Sequence, residues 1–98
     1  MEIKKVNNGT ELNLVVEGRL DTTTTPRLEA ELKQSISTVE TLVLDFAKLE
    51  YLSSAGLRVL LAIQKVMNKQ GKMIIRNVNE TIAEIFEITG FSNILTIE

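Results

Sequence analysis

The sequence predicts an α/β fold in which helices cover a mixed, mainly parallel sheet, in the order β-β-α-β-α-β-α-β. Three observations carry this expectation. Apolar runs of strand length alternate with longer stretches whose apolar residues recur every three or four positions, as strand-helix-strand crossovers require. The first two runs are separated only by Asn7-Asn8-Gly9-Thr10, whose Asn-Gly pair suits a tight hairpin, so the first strand is antiparallel to the second. A chain of 98 residues has apolar content for one two-layer core, so residues 1–98 are read as a single domain without linker or repeat.

Ile3 to Val6 and Leu12 to Val16 are the strands of that hairpin. Leu12, Leu14 and Val16 share a face at period two and Val15 adds an apolar group to the other, so the second strand should be covered at least partly on both sides. Gly18-Arg19-Leu20-Asp21 leads into Thr22-Thr23-Thr24-Thr25-Pro26, where hydroxyls can cap free amides and proline fits a first helical turn. A helix therefore begins between Thr22 and Thr25 and ends near Ser37, with Leu28, Leu32 and Ile36 as its apolar stripe. Thr41 to Phe46 reads as a buried parallel strand. A second long helix runs from Ser54 to Asn68 and ends at Gly71, and Lys72 to Arg76 forms the next strand. Asn79 caps a third helix through Ile82, Ile85, Phe86 and Thr89, Gly90 stops it, and Ile94 to Ile97 closes the chain as a last strand.

Composition narrows the function. The chain contains no Cys, His or Trp, which removes thiol nucleophiles, Cys/His metal sites and every catalytic arrangement with a histidine base. Neither a metal nor a cofactor is implied, and catalysis by Asp21 and Asp45 alone would lack a visible partner arrangement, so the chain is not read as an enzyme. A net charge of −2 with both signs interspersed offers no patch for a nucleic-acid backbone. No long apolar stretch follows Met1, so neither a signal peptide nor membrane insertion is expected, and the default location is the cytoplasm.

Attention then falls on Tyr51-Leu52-Ser53-Ser54-Ala55-Gly56-Leu57-Arg58, where two hydroxyls open the second helix. The plain reading is that one of the two is simply an N-cap, worth ~1 kcal/mol. A nucleophile elbow is excluded because Leu52 stands where the first glycine is needed and no His exists. A phosphate-binding loop fails on spacing.

Three segments in order, Glu17-Gly18-Arg19-Leu20-Asp21, Leu42-Val43-Leu44-Asp45-Phe46 and Ser53-Ser54-Ala55-Gly56-Leu57, give the chain a resemblance to STAS domains of the anti-sigma factor antagonist type. The resemblance covers essentially the whole chain. It implies a binding module that sequesters an anti-sigma factor serine kinase and so frees a sigma factor, with a serine phosphatase reversing the kinase. By the family's register the phosphorylated residue is Ser54, with Ser53 as the alternative, and Ser54 is expected to present its oxygen to the kinase as a helix-capping hydroxyl. The family usually has Asp before the acceptor where this chain has Ser53, and a small residue where this chain has Arg58. Asp21 and Asp45 match positions that the family places near the turn.

The implied partner surface comprises Asp21, Ser53, Ala55, Gly56, Leu57, Arg58 and Leu61. On a helical wheel Val59, Ile63, Val66 and Met67 face the core with Leu60 at its edge, whereas Leu57 and Leu61 fall beside Gln64 and Asn68 toward the polar side. Those two leucines either pack under a neighbouring element or form a docking ridge. Asp21 has a plainer reading as a turn residue, and Asp45 as a bond to nearby backbone. The competing function is a STAS scaffold subunit of a stressosome-like or phospholipid-transport complex, for which a homo-oligomer, weak or otherwise, would speak.

Overall fold

The computed structural model describes residues 1–98. Strand β1 (Glu2–Asn8) and strand β2 (Glu11–Leu20) form the antiparallel hairpin. Asn8 pairs with Glu11, so the loop is Gly9-Thr10 rather than Asn8-Gly9, and Gly9 supplies the positive φ (+68°) at the first central position that a II′-type turn requires. Helix α1 (Thr25–Ser35) follows and decays into a 3₁₀ turn at Ile36–Thr38, so the regular helix stops slightly before the sequence suggested. Strand β3 (Thr41–Asp45) pairs with β2 in parallel, and strand β5 (Lys72–Arg76) pairs with β3 in parallel. Helix α2 (Ser54–Gln70) and helix α3 (Glu80–Thr89) complete the regular elements.

The mixed, mainly parallel sheet expected from the sequence is therefore present, with two differences in its strands. Strand β4 (Leu49–Leu52) was read from sequence only as a connection, yet it pairs in parallel with the end of β2. Its four residues bury Leu49 and Leu52 and expose the two between, which is not the period-two signature of a strand. The last strand, by contrast, does not form. Gly90 turns the chain left-handed (φ +80°), Phe91–Asn93 make a 3₁₀ turn, and Ile94 to Ile97 contribute only a single parallel bridge between Ile97 and Ile75. Leu95 alone of that segment reaches the core.

One face of the sheet carries the core. Leu12, Leu14 and Val16 of β2, Leu42 and Leu44 of β3 and Met73 and Ile75 of β5 bury together with Leu28 and Leu32 of α1, Leu60 and Met67 of α2, and Ile82 and Phe86 of α3. The opposite face presents Asn13, Val43 and Ile74 as one cross-strand row; Val43 and Ile74 are buried and Asn13 half-buried, as cover on both sides of β2 would lead one to expect. Along α2 the buried arc is rotated from the wheel's expectation. Val66 is exposed, Leu60 is fully buried at the centre of the arc, and Leu57 and Gln64 are buried as well. The wheel assumed one flat partner, whereas α2 also packs against α1, and the C-terminal segment lines a recess along the Leu57 flank.

Gly71 closes α2 against the chain entering β3. A Cβ built there would fall 1.8 Å from the Glu40 carbonyl oxygen, and that carbonyl already accepts the Lys72 amide at 2.9 Å. Gly71→Ala should therefore destabilise the fold by at least ~1 to 3 kcal/mol, because the obstacle is backbone and cannot swing aside. Urea unfolding of the variant beside wild type measures this; an unchanged midpoint would show that β3 and the α2 terminus are not held at this distance.

Candidate functional site

The two serines are divided by the backbone. Ser53 has extended backbone (φ −87°, ψ 172°), and its hydroxyl accepts the Gly56 amide at 3.3 Å, which makes it the N-cap of α2. Its own amide donates to the Leu20 carbonyl at 2.9 Å, so the cap is tied to the end of β2. Ser54 is the first helical residue, exposed, with a hydroxyl that bonds to no other group of the chain. The expected capping hydroxyl at Ser54 is not found: the extended backbone of Ser53 gives that role to Ser53 and leaves Ser54 free.

Gly56 is buried and explains the closeness of this seat. A Cβ at Gly56 would lie 2.6 Å from Leu52 Cδ1 and 3.1 Å from Leu20, so the first turn of α2 rests directly on the ends of β4 and β2. Leu57 is 7% exposed and belongs to the core, contrary to its placing on the polar side of the helix. Ala55 and Leu61 are half-buried and Arg58 is exposed. The accessible surface around Ser54 is thus carried by Ser54, Ala55, Arg58 and Leu61, while Gly56 and Leu57 lie beneath.

Ser54, Leu57, Arg58 and Leu61 line one side of a recess of about 220 Å³ whose other side is Thr89 and Phe91. The two C-terminal residues were not singled out from sequence as neighbours of the serines; the only signal was an aromatic side chain directly after the Gly90 break. A second recess of about 290 Å³ lies between α1 and α2, bordered by Thr25, Glu29, Ala55 and Arg58 among others. The largest depression, about 720 Å³, is open, sits beside Lys48–Glu50 and the start of α3, and includes neither serine. No group of three His, Cys, Asp or Glu side chains is placed to hold a metal ion.

Asp21 organises the adjoining turn. Its Oδ1 accepts the amides of Thr23 and Thr24, both at 3.0 Å, while the Asp21 amide donates to Thr24 Oγ1 at 2.9 Å and the Asp21 carbonyl accepts the Thr25 amide at 2.9 Å. The Thr24 hydroxyl donates to the Arg19 carbonyl at 2.7 Å, with Asp21 Oδ1 as a longer second acceptor at 3.2 Å. The Thr24 amide above all, with the Thr23 amide, the Thr24 hydroxyl and the Arg19 charge, holds the Asp21 carboxyl below its ordinary range against a smaller opposing effect of burial. Arg19 also lies over the Tyr51 ring, 4.4 Å from its centroid, opposite its β4 register partner. Asp45 is drawn elsewhere. Its two oxygens accept from the Ala47 amide at 2.9 Å and Asn77 Nδ2 at 3.0 Å, so it ties the β3–β4 turn to the loop after β5 rather than bonding to the serine turn.

This arrangement, an exposed helix-opening serine beside an Asp-built turn on a sheet of three parallel pairings and one antiparallel hairpin, is that of a STAS domain. The STAS domain family matches residues 2–98, and the chain belongs to that family. Within it the chain stands with the anti-sigma factor antagonists. BtrV of Bordetella bronchiseptica, assigned as an anti-sigma factor antagonist, is 36% identical over 84 residues, covering 84% of this chain and 72% of BtrV. Among solved structures, the anti-sigma factor antagonist SpoIIAA in its unphosphorylated form superposes with a TM-score of 0.85 at 18% identity, over 99% of this chain and 88% of SpoIIAA. The phosphorylated form of the Bacillus cell fate determinant SpoIIAA gives 0.78 at 18% identity, over 99% and 91%. At these identities the structural matches establish the shared fold.

The Asp21 turn has a pH signature. A carboxyl whose folded pKa lies below its unfolded value stabilises the fold fully above the unfolded value, and that contribution fades as pH falls through the lower folded value. Asp21→Asn should accordingly be less stable than wild type at neutral pH, with the gap constant down to about pH 5 and shrinking in stronger acid. Denaturant melts of both proteins between pH 7 and pH 3 check this; a gap independent of pH would show that the turn does not depend on the charge.

Proposed function

We propose that this protein is a phosphorylation-switched binding module: unmodified, it docks an anti-sigma factor that is also a serine kinase and so frees a sigma factor. Phosphorylation of Ser54 ends the docking and a serine phosphatase restores it. The observation that carries this reading is the separation of roles at the helix start. Ser53 performs the capping, so the Ser54 hydroxyl is surplus to folding, exposed, and set at the rim of a recess lined by Leu57, Leu61 and Phe91. The relatives' assignment as anti-sigma factor antagonists supports the partner class.

In the switching reaction Ser54 Oγ attacks the γ-phosphorus of the kinase's ATP, its proton passes to a base on the kinase, and ADP leaves. Hydrolysis by the phosphatase returns the hydroxyl and inorganic phosphate. The kinase brings the nucleotide and its metal; this chain supplies an acceptor oxygen in fixed position. The phosphate adds roughly −1.5 to −2 charges at pH 7, which the first turn of a helix accommodates, so the domain stays folded while a partner seated over the turn meets a bulky anion. No helix is long and apolar enough to cross a membrane. We place the switch in the cytoplasm.

The serines should separate experimentally. Ser53→Ala should lose ~0.5 to 2 kcal/mol of stability with the cap yet still be phosphorylated on Ser54, whereas Ser54→Ala should fold normally and accept no phosphate. Thermal melts and phosphopeptide mapping after incubation with the kinase distinguish these; phosphate retained on Ser54→Ala would move the acceptor to Ser53.

Leu61, half-buried on the rim, should behave as a docking residue. Leu61→Ala is expected to weaken partner binding by ~1 to 2 kcal/mol, roughly five- to thirtyfold, with little change in melting temperature. Fully buried Leu60 serves as the control, since Leu60→Ala should cost ~2 to 5 kcal/mol of stability. Calorimetric titration with the kinase reads the first effect and thermal melts the second. A Leu61→Ala protein that binds the kinase as tightly as wild type would remove Leu61 from the docking surface, whereas a wild-type protein that captures transporter components or self-assembles in place of binding a kinase would favour the scaffold function.

A further inference from the structure

We propose that Arg58 is the built-in counter-ion of a phosphate on Ser54, drawn back along the α2 side of the recess that faces the C-terminal segment once the phosphate is in place; this rests on the reading of Ser54 as the acceptor. The two residues stand one helical turn apart, at i and i+4, both exposed and both on the rim of the same recess with Leu57 and Leu61. Side chains at that spacing are neighbours, and an anion placed N-terminal to a cation is the favourable order. A guanidinium can take two phosphate oxygens with its planar fork, which a point charge cannot.

The guanidinium is also uncommitted. Arg58 forms no ion pair in the chain, whose pairs are Lys4–Glu17, Lys5–Glu31, Arg19–Asp21, Lys33–Glu29 and Arg76–Glu98. The first turn of α2 holds no carboxylate to compete for it. Arg58 borders the α1–α2 recess as well, where the one carboxylate in the lining is Glu29, which lies 4.0 Å from Lys33 and forms no ion pair with Arg58. Of the other elements around the serine turn, β4 brings Glu50 and Tyr51, both exposed, and the C-terminal segment brings the uncharged Thr89 and Phe91. Arg58 thus straddles two recesses with no anion holding it in either.

Phosphorylation then alters the surface twice. It adds an anion at Ser54, and it withdraws the one cation of this rim from any partner by drawing it toward the start of α2, away from Leu61. A carboxylate in place of the phosphoserine is shorter and carries a single charge, so Ser54→Asp should hold Arg58 less firmly and under-report the switch.

The test installs phosphoserine at position 54 during translation, so that no kinase is needed, and follows its second ionisation by ³¹P NMR in the folded protein, in Arg58→Ala, in Arg58→Lys and in urea. In wild type the ionisation should fall below the urea reference. Arg58→Ala should raise it by roughly half a unit to one unit, and Arg58→Lys should lie between. The Arg58 Nε–H resonance should shift on phosphorylation, which a merely structural arginine would not do. An Arg58→Ala phosphoprotein that remains folded and titrates with wild type overturns the counter-ion assignment. Failure of the acceptor reading appears in a different measurement, phosphopeptide mapping of the unaltered protein, as phosphate on Ser53 or on neither serine.

Discussion

The seat of the second helix on the ends of β2 and β4 is the constraint on which the rest of the site depends. It is made by one hydrogen bond, Ser53 amide to Leu20 carbonyl at 2.9 Å, and by one missing side chain, Gly56, whose Cβ would collide with Leu52 and press on Leu20. Strand β2 is the common partner of β1, β3 and β4, so whatever is fixed to its end is fixed to the whole sheet. The strand reaches that far because Gly18, at φ +93°, allows the bulge at which it leaves β3 and takes up β4. The position of Ser54 is therefore a property of the sheet rather than of a loop, and a rigid element holds a side chain in place better than a mobile one.

The same few ångströms join the site's two turns. Leu20 receives the α2 cap, and Asp21, next in the chain, builds the turn into α1 through its carboxylate and carbonyl. Asp21 was read from sequence both as a partner residue and as a turn residue, and its bonds in the free protein are those of a turn. Its carboxylate is only partly exposed, with Oδ1 committed to Thr23 and Thr24 and Oδ2 toward Arg19 at 4.0 Å. What reaches solvent from this corner is the Arg19–Tyr51 pair, a cation on an aromatic face, which sequence spacing could not reveal because the two meet only through β2–β4 register.

The legibility of the chain follows from how local each signal is. Hairpin, helices and buried parallel strands were readable because period, cap and stop all lie within a dozen residues: Asn79 caps α3 through the Ile82 amide and Gly90 ends it in the left-handed region. Strand β4 was not readable because its four residues are stabilised by pairing with a strand about thirty positions earlier, and their burial does not alternate. The C-terminal run Ile94 to Ile97 has strand composition, yet only one residue of it bridges β5. On α2 the wheel found the correct helix but misjudged the arc, since Leu57 is buried on the flank where the C-terminal segment lies. The serine turn itself was visible as a motif; which hydroxyl caps and which stays free depends on backbone angles that a motif does not contain.

The division between Ser53 and Ser54 bears on how strong a switch this turn can be. Under the proposed function, phosphorylation and partner binding are linked, so the factor by which phosphate weakens docking equals the factor by which docking disfavours phosphate. That factor is the cost of the phosphate in the complex minus its cost in the free protein. An Asp at the capping position would satisfy the Gly56 amide as well as a serine does, but it would set a second negative charge against the dianion in the free protein. Ser53 caps without charge, and with Arg58 one turn away the free protein accommodates the phosphate at lower cost. The cost in the complex is set by the partner's surface and does not fall with it when Arg58 is buried against that partner. Lowering only the free-state term widens the difference. Moving such an equilibrium from 1:99 to 99:1 takes about 5.5 kcal/mol, of which one exposed charge a turn away supplies ~0.2 to 0.5 kcal/mol, so the partner's surface carries most of the switch. The neutral cap and the nearby arginine therefore act in the same direction, toward a modified form that is stable alone and excluded from the complex.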